Sequence, residues 1–176
     1  MTTPSAASAG ANGASTRRAH TRSIVLAGVG AFVGLAFVGM LAQKTSEPWI
    51  LGSFGATCVL LFGFPSSPFS QPRNIIGGHV LTSLTGLVCL QLFGPGYMPM
   101  AFAAASALML MMLTRTVHPP AGSNPVIIFA TQRGWSFLAL PTMFGAVALV
   151  LIGWLYWAVV KRGAWPHRIV KNQGNR

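Results

Sequence analysis

Long apolar runs without charged residues dominate this sequence and limit it to one class of fold. Residues 23–43 contain no charged side chain, and a helix of that length crosses the roughly 30 Å hydrocarbon core of a bilayer. Three further runs of comparable length follow, at residues 75–93, 100–117 and 136–160, and only the run 100–117 contains a charged side chain, Arg115 near its end. Because lipid satisfies no backbone hydrogen bond, such runs must form helices. The sequence therefore predicts an all-α polytopic membrane protein with four long transmembrane helices.

Two shorter apolar segments alternate with the long ones. Residues 50–64 would reach only roughly 22 Å as a helix, and residues 121–131 are shorter still. Both are predicted to be short or re-entrant helices, with their first residues near the bilayer midplane. Both open with the same dipeptide, Gly52-Ser53 and Gly122-Ser123. The order long, short, long thus occurs in each half of the chain. It suggests a 3+3 inverted repeat, in which two units of three segments have opposite orientations in the membrane. In transporters built this way, the short broken segments form the transport site.

Two topologies satisfy this pattern, six crossings or four crossings plus two re-entrant segments, and both leave the termini on one side. Basic residues border the apolar region at both ends: Arg17, Arg18 and Arg22 before it, and Lys161, Arg162, Arg168, Lys171 and Arg176 after it. By the positive-inside rule both termini are cytoplasmic. Six crossings would place Arg73 and Arg115 on the cytoplasmic side too. The expected location is the cell membrane, the inner membrane of a bacterium.

Three parts are expected along the chain: a disordered basic N-terminus (1–22), a transmembrane domain (23–160) and a basic cytoplasmic tail (161–176). The first 16 residues are small or polar without apolar periodicity, which is typical of disorder. The run after Arg22 is about twice the length of a signal-peptide core and lacks a cleavage site, so we expect it to be retained. The 12 Lys and Arg residues against one acidic residue border membrane segments, so no nucleic-acid partner is expected.

Proline-rich breaks interrupt the apolar sequence at two places. The stretch from His118 to Pro125 contains three prolines, which lack a backbone donor and exclude the preceding residue from the helical region. Backbone groups freed in this way need protein or a cavity to satisfy them. Arg115 lies just upstream, and an arginine in a membrane segment indicates function. The second break, residues 65–74, contains Arg73.

The ionisable residues near these breaks are cationic or neutral, which favours an anion as ligand. Arginine offers a planar fork of donors to an oxyanion, the starts of the short helices offer amides and a positive dipole end, and histidines bond anions or change charge. The candidate substrate-binding residues are Arg73, Asn74, His79, Arg115, His118, Gly52, Ser53, Gly122, Ser123 and Asn124. No catalytic residues, cofactor or metal site are expected, because Cys58 and Cys89 lie in apolar segments without a Cys/His cluster.

Three motifs resemble the HPP family of transmembrane proteins. They are the segment Gly52-Ser53-Phe54-Gly55-Ala56, the run from Ser67-Pro68 through Gln71-Pro72-Arg73-Asn74 to Gly77-Gly78-His79, and the segment Thr114-Arg115-Thr116-Val117-His118-Pro119-Pro120-Ala121-Gly122. The resemblance extends from about residue 20 to residue 160. It implies a small membrane protein with four spans, and it implies nitrite transport, in which plant and cyanobacterial members are implicated.

The leading function is therefore a transporter or channel for a small inorganic anion, nitrite foremost, with Arg73 and Arg115 as charge partners. The alternative is a non-transporting scaffold or sensor whose arginines and prolines only hold helices together. An enzyme is not expected, because no nucleophile set or carboxylate pair occurs. A chain this small has limited surface to enclose a pathway, so a homodimer is expected. Its predicted interface is one of two small-residue faces, Gly30 and Gly34 or Gly78, Thr82 and Gly86.

Overall fold

The computed structural model describes residues 6–45, 52–160 and 165–166, leaving aside the side chains of residues 6–16 and 45. These residues form six α-helices and no strand: α1 (Ala6–Thr45), α2 (Gly52–Cys58), α3 (Pro72–Phe93), α4 (Tyr97–Thr114), α5 (Asn124–Thr131) and α6 (Phe144–Val160). Four stretches are long and apolar enough to cross a membrane: Arg17–Lys44, Pro72–Phe93, Tyr97–Thr114 and Leu138–Val160. The prediction of an all-α polytopic membrane protein is confirmed.

The two short segments form short helices, as predicted, and we call residues 52–63 and 118–131 the broken segments. The seven residues of α2 continue into a five-residue π-helix, Val59–Gly63, which ends where Phe64 leaves the helical region before Pro65. A 3-10 turn, Pro119–Ser123, precedes the eight residues of α5. Because prolines occupy the first positions of both the turn and α5, the second segment cannot extend its helix toward the N-terminus.

Two boundaries differ from the sequence prediction. Residues 136–160 do not form one regular helix, because Pro141 forces Leu140 out of the helical region within a π-helical segment, Leu138–Met143. Helix α1 begins at Ala6 and so includes residues predicted to be disordered. That stretch is rich in alanine, which has the highest helix propensity. Residues 1–5, residues 46–51 and most of the predicted cytoplasmic tail lie outside the described residues.

Contacts between distant residues establish the directions of the helices. Three hydrogen bonds to backbone carbonyls connect these helices. Tyr156 near the end of α6 donates to Leu26, in the first part of the membrane-spanning stretch of α1, at 2.5 Å; Trp165 donates to Ser70, just before α3, at 2.8 Å; and Arg73 at the start of α3 donates to Thr114 at the end of α4 at 2.8 Å. The start of the α1 span, the start of α3 and the ends of α4 and α6 therefore meet at one end of the bundle. We call it the arginine end, because it carries Arg73 and Arg115.

The broken segments run between the two ends of the bundle. Gly78 of α3 lies against His118, Gly86 lies against Pro125, and Trp135 donates to Gln91 near the end of α3 at 3.1 Å. Residues 116–135 therefore follow α3 away from the arginine end, whereas α2 runs toward it beside α6. Six segments thus alternate in direction. Matching helices of the two halves run in opposite directions, as an inverted repeat requires.

The glycine faces expected to form a dimer pack within one chain instead. The ring of Phe62 lies so close to Gly30 that a Cβ there would collide with it, and Phe62 and Cys58 both lie against Gly34. On α3, Gly78 and Gly86 receive the broken segment that carries His118 and Pro125. The predicted dimer interface on these faces is therefore wrong, because the glycines admit bulky side chains of the same subunit.

Candidate functional site

A cluster of buried polar side chains lies where the two broken segments meet α3. Each of its six members has 0% of its surface exposed: Thr57 on α2, His79 and Ser83 on α3, His118 before the 3-10 turn, Asn124 at the start of α5, and Thr142 in the segment before α6. We call this cluster the polar core. Burial of polar groups is costly unless they are hydrogen-bonded, so the bonds within the polar core hold these segments together.

Thr57 is the hub of the polar core. Its hydroxyl oxygen lies 3.0 Å from Nε2 of His79 and 2.8 Å from Nε2 of His118. The same oxygen lies 2.8 Å from the carbonyl oxygen of Ser53, one turn earlier on α2. One hydroxyl group therefore joins two histidines from different halves of the chain.

The backbone before Pro119 turns His118 into the bundle. Proline keeps His118 extended, with φ −135° and ψ 97°, so the ring points inward from the end of α4. Its Nδ1 lies 2.7 Å from the carbonyl oxygen of Phe69. A carbonyl oxygen only accepts, so this bond assigns a proton to Nδ1 of His118.

Asn124 connects the second broken segment to α3. Its Nδ2 lies 3.1 Å from Nδ1 of His79, 2.9 Å from Oγ of Ser83 and 3.3 Å from the carbonyl oxygen of His79. Because that carbonyl only accepts, the amide nitrogen must face it, and Nδ1 of His79 then accepts. The proton of neutral His79 therefore sits on Nε2 and points toward Thr57. Ser83 extends the polar core to Thr142 at 3.1 Å.

Two buried atoms at the edges of the polar core have no hydrogen-bond partner among the described residues. They are Oγ of Ser53, whose carbonyl contacts Thr57, and Oδ1 of Asn124, whose amide nitrogen contacts His79. Such atoms are few in native structures and call for an explanation. One is a hydroxyl that can donate or accept, and the other is a pure acceptor.

The two predicted arginines lie outside the polar core. Both are exposed at the arginine end, where Nη2 of Arg73 donates to the carbonyl oxygen of Thr114 in the last turn of α4. Arg115 follows α4 in a left-handed conformation, with φ 55°. It lines a depression of about 320 Å³ together with Pro68, Phe69, Asn74, Met112 and Val117. Because the carbonyl oxygen of Phe69 accepts from Nδ1 of His118, the depression adjoins the polar core at Phe69.

The structure thus separates the predicted site residues into groups. His79, His118 and Asn124 meet in the polar core, and Ser53 borders it. Arg73, Arg115 and Asn74 belong to the arginine end, where Asn74 donates to the carbonyl oxygen of Val117 at 2.8 Å. The remaining three stand apart: Gly52 is exposed, Gly122 is half-buried next to open space, and Ser123 donates to the carbonyl oxygen of Pro120 at 2.9 Å.

Sequence reasoning missed Thr57, Ser83 and Thr142. Hydroxyl residues are common in membrane helices as simple packing residues, so they carry no distinguishing motif. One available signal was the spacing of Ser53 and Thr57, which puts two hydroxyls on one face of a short helix beside a break. Among the described residues, no three His, Cys, Asp or Glu side chains lie close enough together to hold a metal ion.

Comparisons with known proteins match the transmembrane character of the chain. The model of the family described as HPP, transmembrane region, matches residues 16–166. A transmembrane protein of Dictyostelium discoideum is 36% identical over 110 residues, covering 58% of this chain and 39% of that protein. A second from the same organism is 27% identical over 146 residues, covering 76% of this chain and 47% of that protein. The chain therefore spans less than half the length of these relatives. No solved structure matches it.

Proposed function

Because this chain belongs to the HPP family of transmembrane proteins, we propose that it is a transporter or channel for a small inorganic anion, with nitrite as the first substrate to test. One observation carries the proposal. A buried polar core joins the two broken segments and adjoins an arginine-lined depression at one end of the bundle. Broken segments in matching places of two inverted halves are where membrane transporters bind their substrates.

The charges at the arginine end support an anion as the substrate. Arg73 and Arg115 project from the same end, and positive charge around a concave entrance raises the local concentration of anions and their rate of entry. Arg115 lines the depression itself and is the stronger candidate for contact with the anion. We place this end and both termini in the cytoplasm, in the cell membrane, with the protein acting as a homodimer.

One contact favours the second candidate function, a non-transporting scaffold or sensor. The bond from Arg73 to Thr114 satisfies a carbonyl in the last turn of α4, and a cation at a helix C-terminus stabilises the fold without any ligand. On this view the arginines hold α3 and α4 together, and the polar core joins the broken segments. Loss of Arg73 would then impair folding rather than flux.

Nitrite uptake into liposomes containing the purified protein distinguishes the two functions. We expect uptake above that of empty liposomes, and we expect Arg115→Gln to lower it by about tenfold or more through loss of electrostatic focusing. Arg115→Lys should recover part of the rate, because it restores charge without the bidentate fork. The matched control is Arg133→Gln, which removes an arginine bonded to Thr131 at the end of α5, away from the arginine end.

The outcomes separate cleanly when insertion is measured for each variant. Transport predicts folded Arg115→Gln protein with reduced uptake and Arg133→Gln protein with normal uptake. The scaffold predicts no uptake by the native protein, with Arg73→Gln reducing its yield and thermal stability. Folded Arg115→Gln protein with unchanged nitrite uptake would remove the arginine end from the mechanism.

A further inference from the structure

The polar core carries no fixed charge. In the described ranges 17–44 and 52–160, no Arg or Lys side chain is buried, and the buried polar residues are Ser, Thr, Asn, Gln and His. An anion that leaves water for such an interior loses its hydration without gaining a counter-charge, which is strongly unfavourable. Passage of an anion through the polar core therefore requires a positive charge that these side chains do not hold permanently.

The hydrogen bonds around Thr57 have room for one further proton. The Thr57 hydroxyl can donate one hydrogen bond and accept two, and its three partners are the carbonyl of Ser53, Nε2 of His79 and Nε2 of His118. The carbonyl can only accept. If Thr57 donates to it, both histidines must donate to Thr57. Because Nδ1 of His118 already donates to Phe69, a His118 that also donates from Nε2 is an imidazolium.

Two complete arrangements of protons therefore fit the same heavy-atom positions. In the first, His118 is neutral and Thr57 donates to its Nε2, which leaves the Ser53 carbonyl without that bond. In the second, His118 carries an added proton on Nε2, and the Thr57 hydroxyl turns toward Ser53. Both acceptors lie 2.8 Å from the Thr57 oxygen, so a rotation of the hydroxyl hydrogen connects the two arrangements.

We propose that the protein carries its anion together with one proton, and that this proton binds at Nε2 of His118 in the polar core. The inference rests on the anion transport proposed above. One proton adds to the lone pair of His118 Nε2 from the aqueous side, the Thr57 hydroxyl rotates without breaking its O–H bond, and the imidazolium neutralises a monovalent anion. On the far side the anion and the proton leave together, which restores the neutral ring.

The surroundings of His118 make the binding of the proton and the binding of the anion depend on each other. The facing ionisable group on α3 is His79, with ring centroids 5.2 Å apart. On α2, Thr57 faces His118, whereas the thiol of Cys58 lies against Gly34 of α1, and the turn Pro68–Ser70 presents only the backbone of Phe69. No described carboxylate faces the ring. Burial disfavours an unpaired imidazolium and an unpaired anion alike, so each of the two charges stabilises the other.

One unpaired atom of the polar core suits the anion. Oγ of Ser53 has no partner among the described residues and can donate a hydrogen bond to an anion. Ser53 lies one turn before Thr57 on α2, and its carbonyl is the acceptor toward which the Thr57 hydroxyl turns when Nε2 of His118 is protonated. The donor for the anion and the site of the proton are therefore linked through the same turn of α2.

The membrane potential provides the decisive measurement. A lone monovalent anion driven against an inside-negative potential of about 100 mV would accumulate about fiftyfold less, because that charge movement costs about 2.3 kcal/mol. An anion carried with one proton moves no net charge. We therefore expect nitrite uptake into liposomes to be unchanged when potassium and valinomycin set the potential, and a trapped pH dye to report one proton entering per nitrite. Empty liposomes measure the leak of nitrous acid through lipid.

Variants of the polar core locate the proton. His118→Gln removes the titrating ring, and Thr57→Val removes the hydroxyl at nearly constant volume; both should lose proton-coupled uptake. Thr57→Ser keeps the hydroxyl and should recover part of it. The matched control is Thr85→Val, because Thr85 is a buried threonine on α3 whose hydroxyl donates to the carbonyl oxygen of Leu81 within its own helix at 2.8 Å. Its coupled uptake should equal that of the native protein.

Each result has a definite meaning. Absence of nitrite uptake by the native protein contradicts the transport function itself. Uptake that follows the membrane potential without proton entry preserves transport and overturns the coupling proposed here. Coupled uptake that persists at the native rate in folded His118→Gln protein overturns the assignment of the proton to His118.

Discussion

Replacement of Gly78 by alanine tests how tightly the second broken segment is held against α3. A Cβ at Gly78 would lie 2.7 Å from Cβ of His118 and 3.1 Å from the carbonyl oxygen of Thr116. Contacts this short force the segment away from α3. The control is Gly55→Ala on α2, where a Cβ meets nothing within 4 Å.

The two substitutions share one favourable contribution and differ in one unfavourable contribution. Alanine is preferred over glycine in a helix interior by roughly 0.8–1 kcal/mol, and this gain applies to both sites. Overpacking at Gly78 costs about 1–3 kcal/mol. The free energies of unfolding of the two variants should therefore differ by about 1–3 kcal/mol, which corresponds to roughly 2–12 °C in Tm for a chain of this size.

Thermal unfolding in detergent, followed by tryptophan fluorescence, measures this difference. Gly78→Ala should melt below Gly55→Ala and should also transport nitrite more slowly, because a displaced His118 loses its contact with Thr57. Equal melting temperatures for the two variants would refute the close packing of the 116–118 segment against α3. Normal nitrite uptake by a destabilised Gly78→Ala protein would contradict the functional importance of the contact between His118 and Thr57.

Two further perturbations test the polar core and the topology. Asn124→Ala should lower the free energy of unfolding by about 2–4 kcal/mol, because Ser83 and His79 lose a buried hydrogen-bond partner. Chemical denaturation in detergent measures the free energy of unfolding, and a decrease below about 1 kcal/mol would contradict the prediction. The variants Arg115→Cys and Arg133→Cys should react with an impermeant maleimide from opposite sides of the membrane, with position 115 on the side of the N-terminus. Labelling of both positions from the same side would contradict a fold in which six segments alternate in direction.

The sequence predicted the helices well, because length and proline placement decide both the long spans and the broken ones. It also singled out His79, His118 and Asn124, which the structure brings together in the polar core, since polar residues beside proline breaks are uncommon in apolar sequence. The depth of the arginines could not be predicted in the same way. Arg73 begins α3 and Arg115 ends α4, and only the pairing of these helix ends shows that both side chains point outward at one end of the bundle.

The remaining errors have a common physical origin. A glycine face promotes close packing whatever its partner is, so Gly30 and Gly34 could not reveal that Phe62 of the same chain fills them. Thr57 likewise has no sequence signature, because its importance comes from two histidines that lie 22 and 61 residues away along the chain. Tertiary contacts of this kind are decided by packing rather than by local pattern.

The division of the polar core between two halves of the chain has a consequence for biosynthesis. His79 and Asn124 lie 45 residues apart, so at about 5–20 residues per second the ribosome needs roughly 2–9 s to complete the pair. During that interval His79 and Thr57 are already synthesised, whereas Asn124 is not. The first half alone therefore leaves Nδ1 of His79 without the partner that the folded protein gives it, and the polar core becomes complete only after the second broken segment has been synthesised.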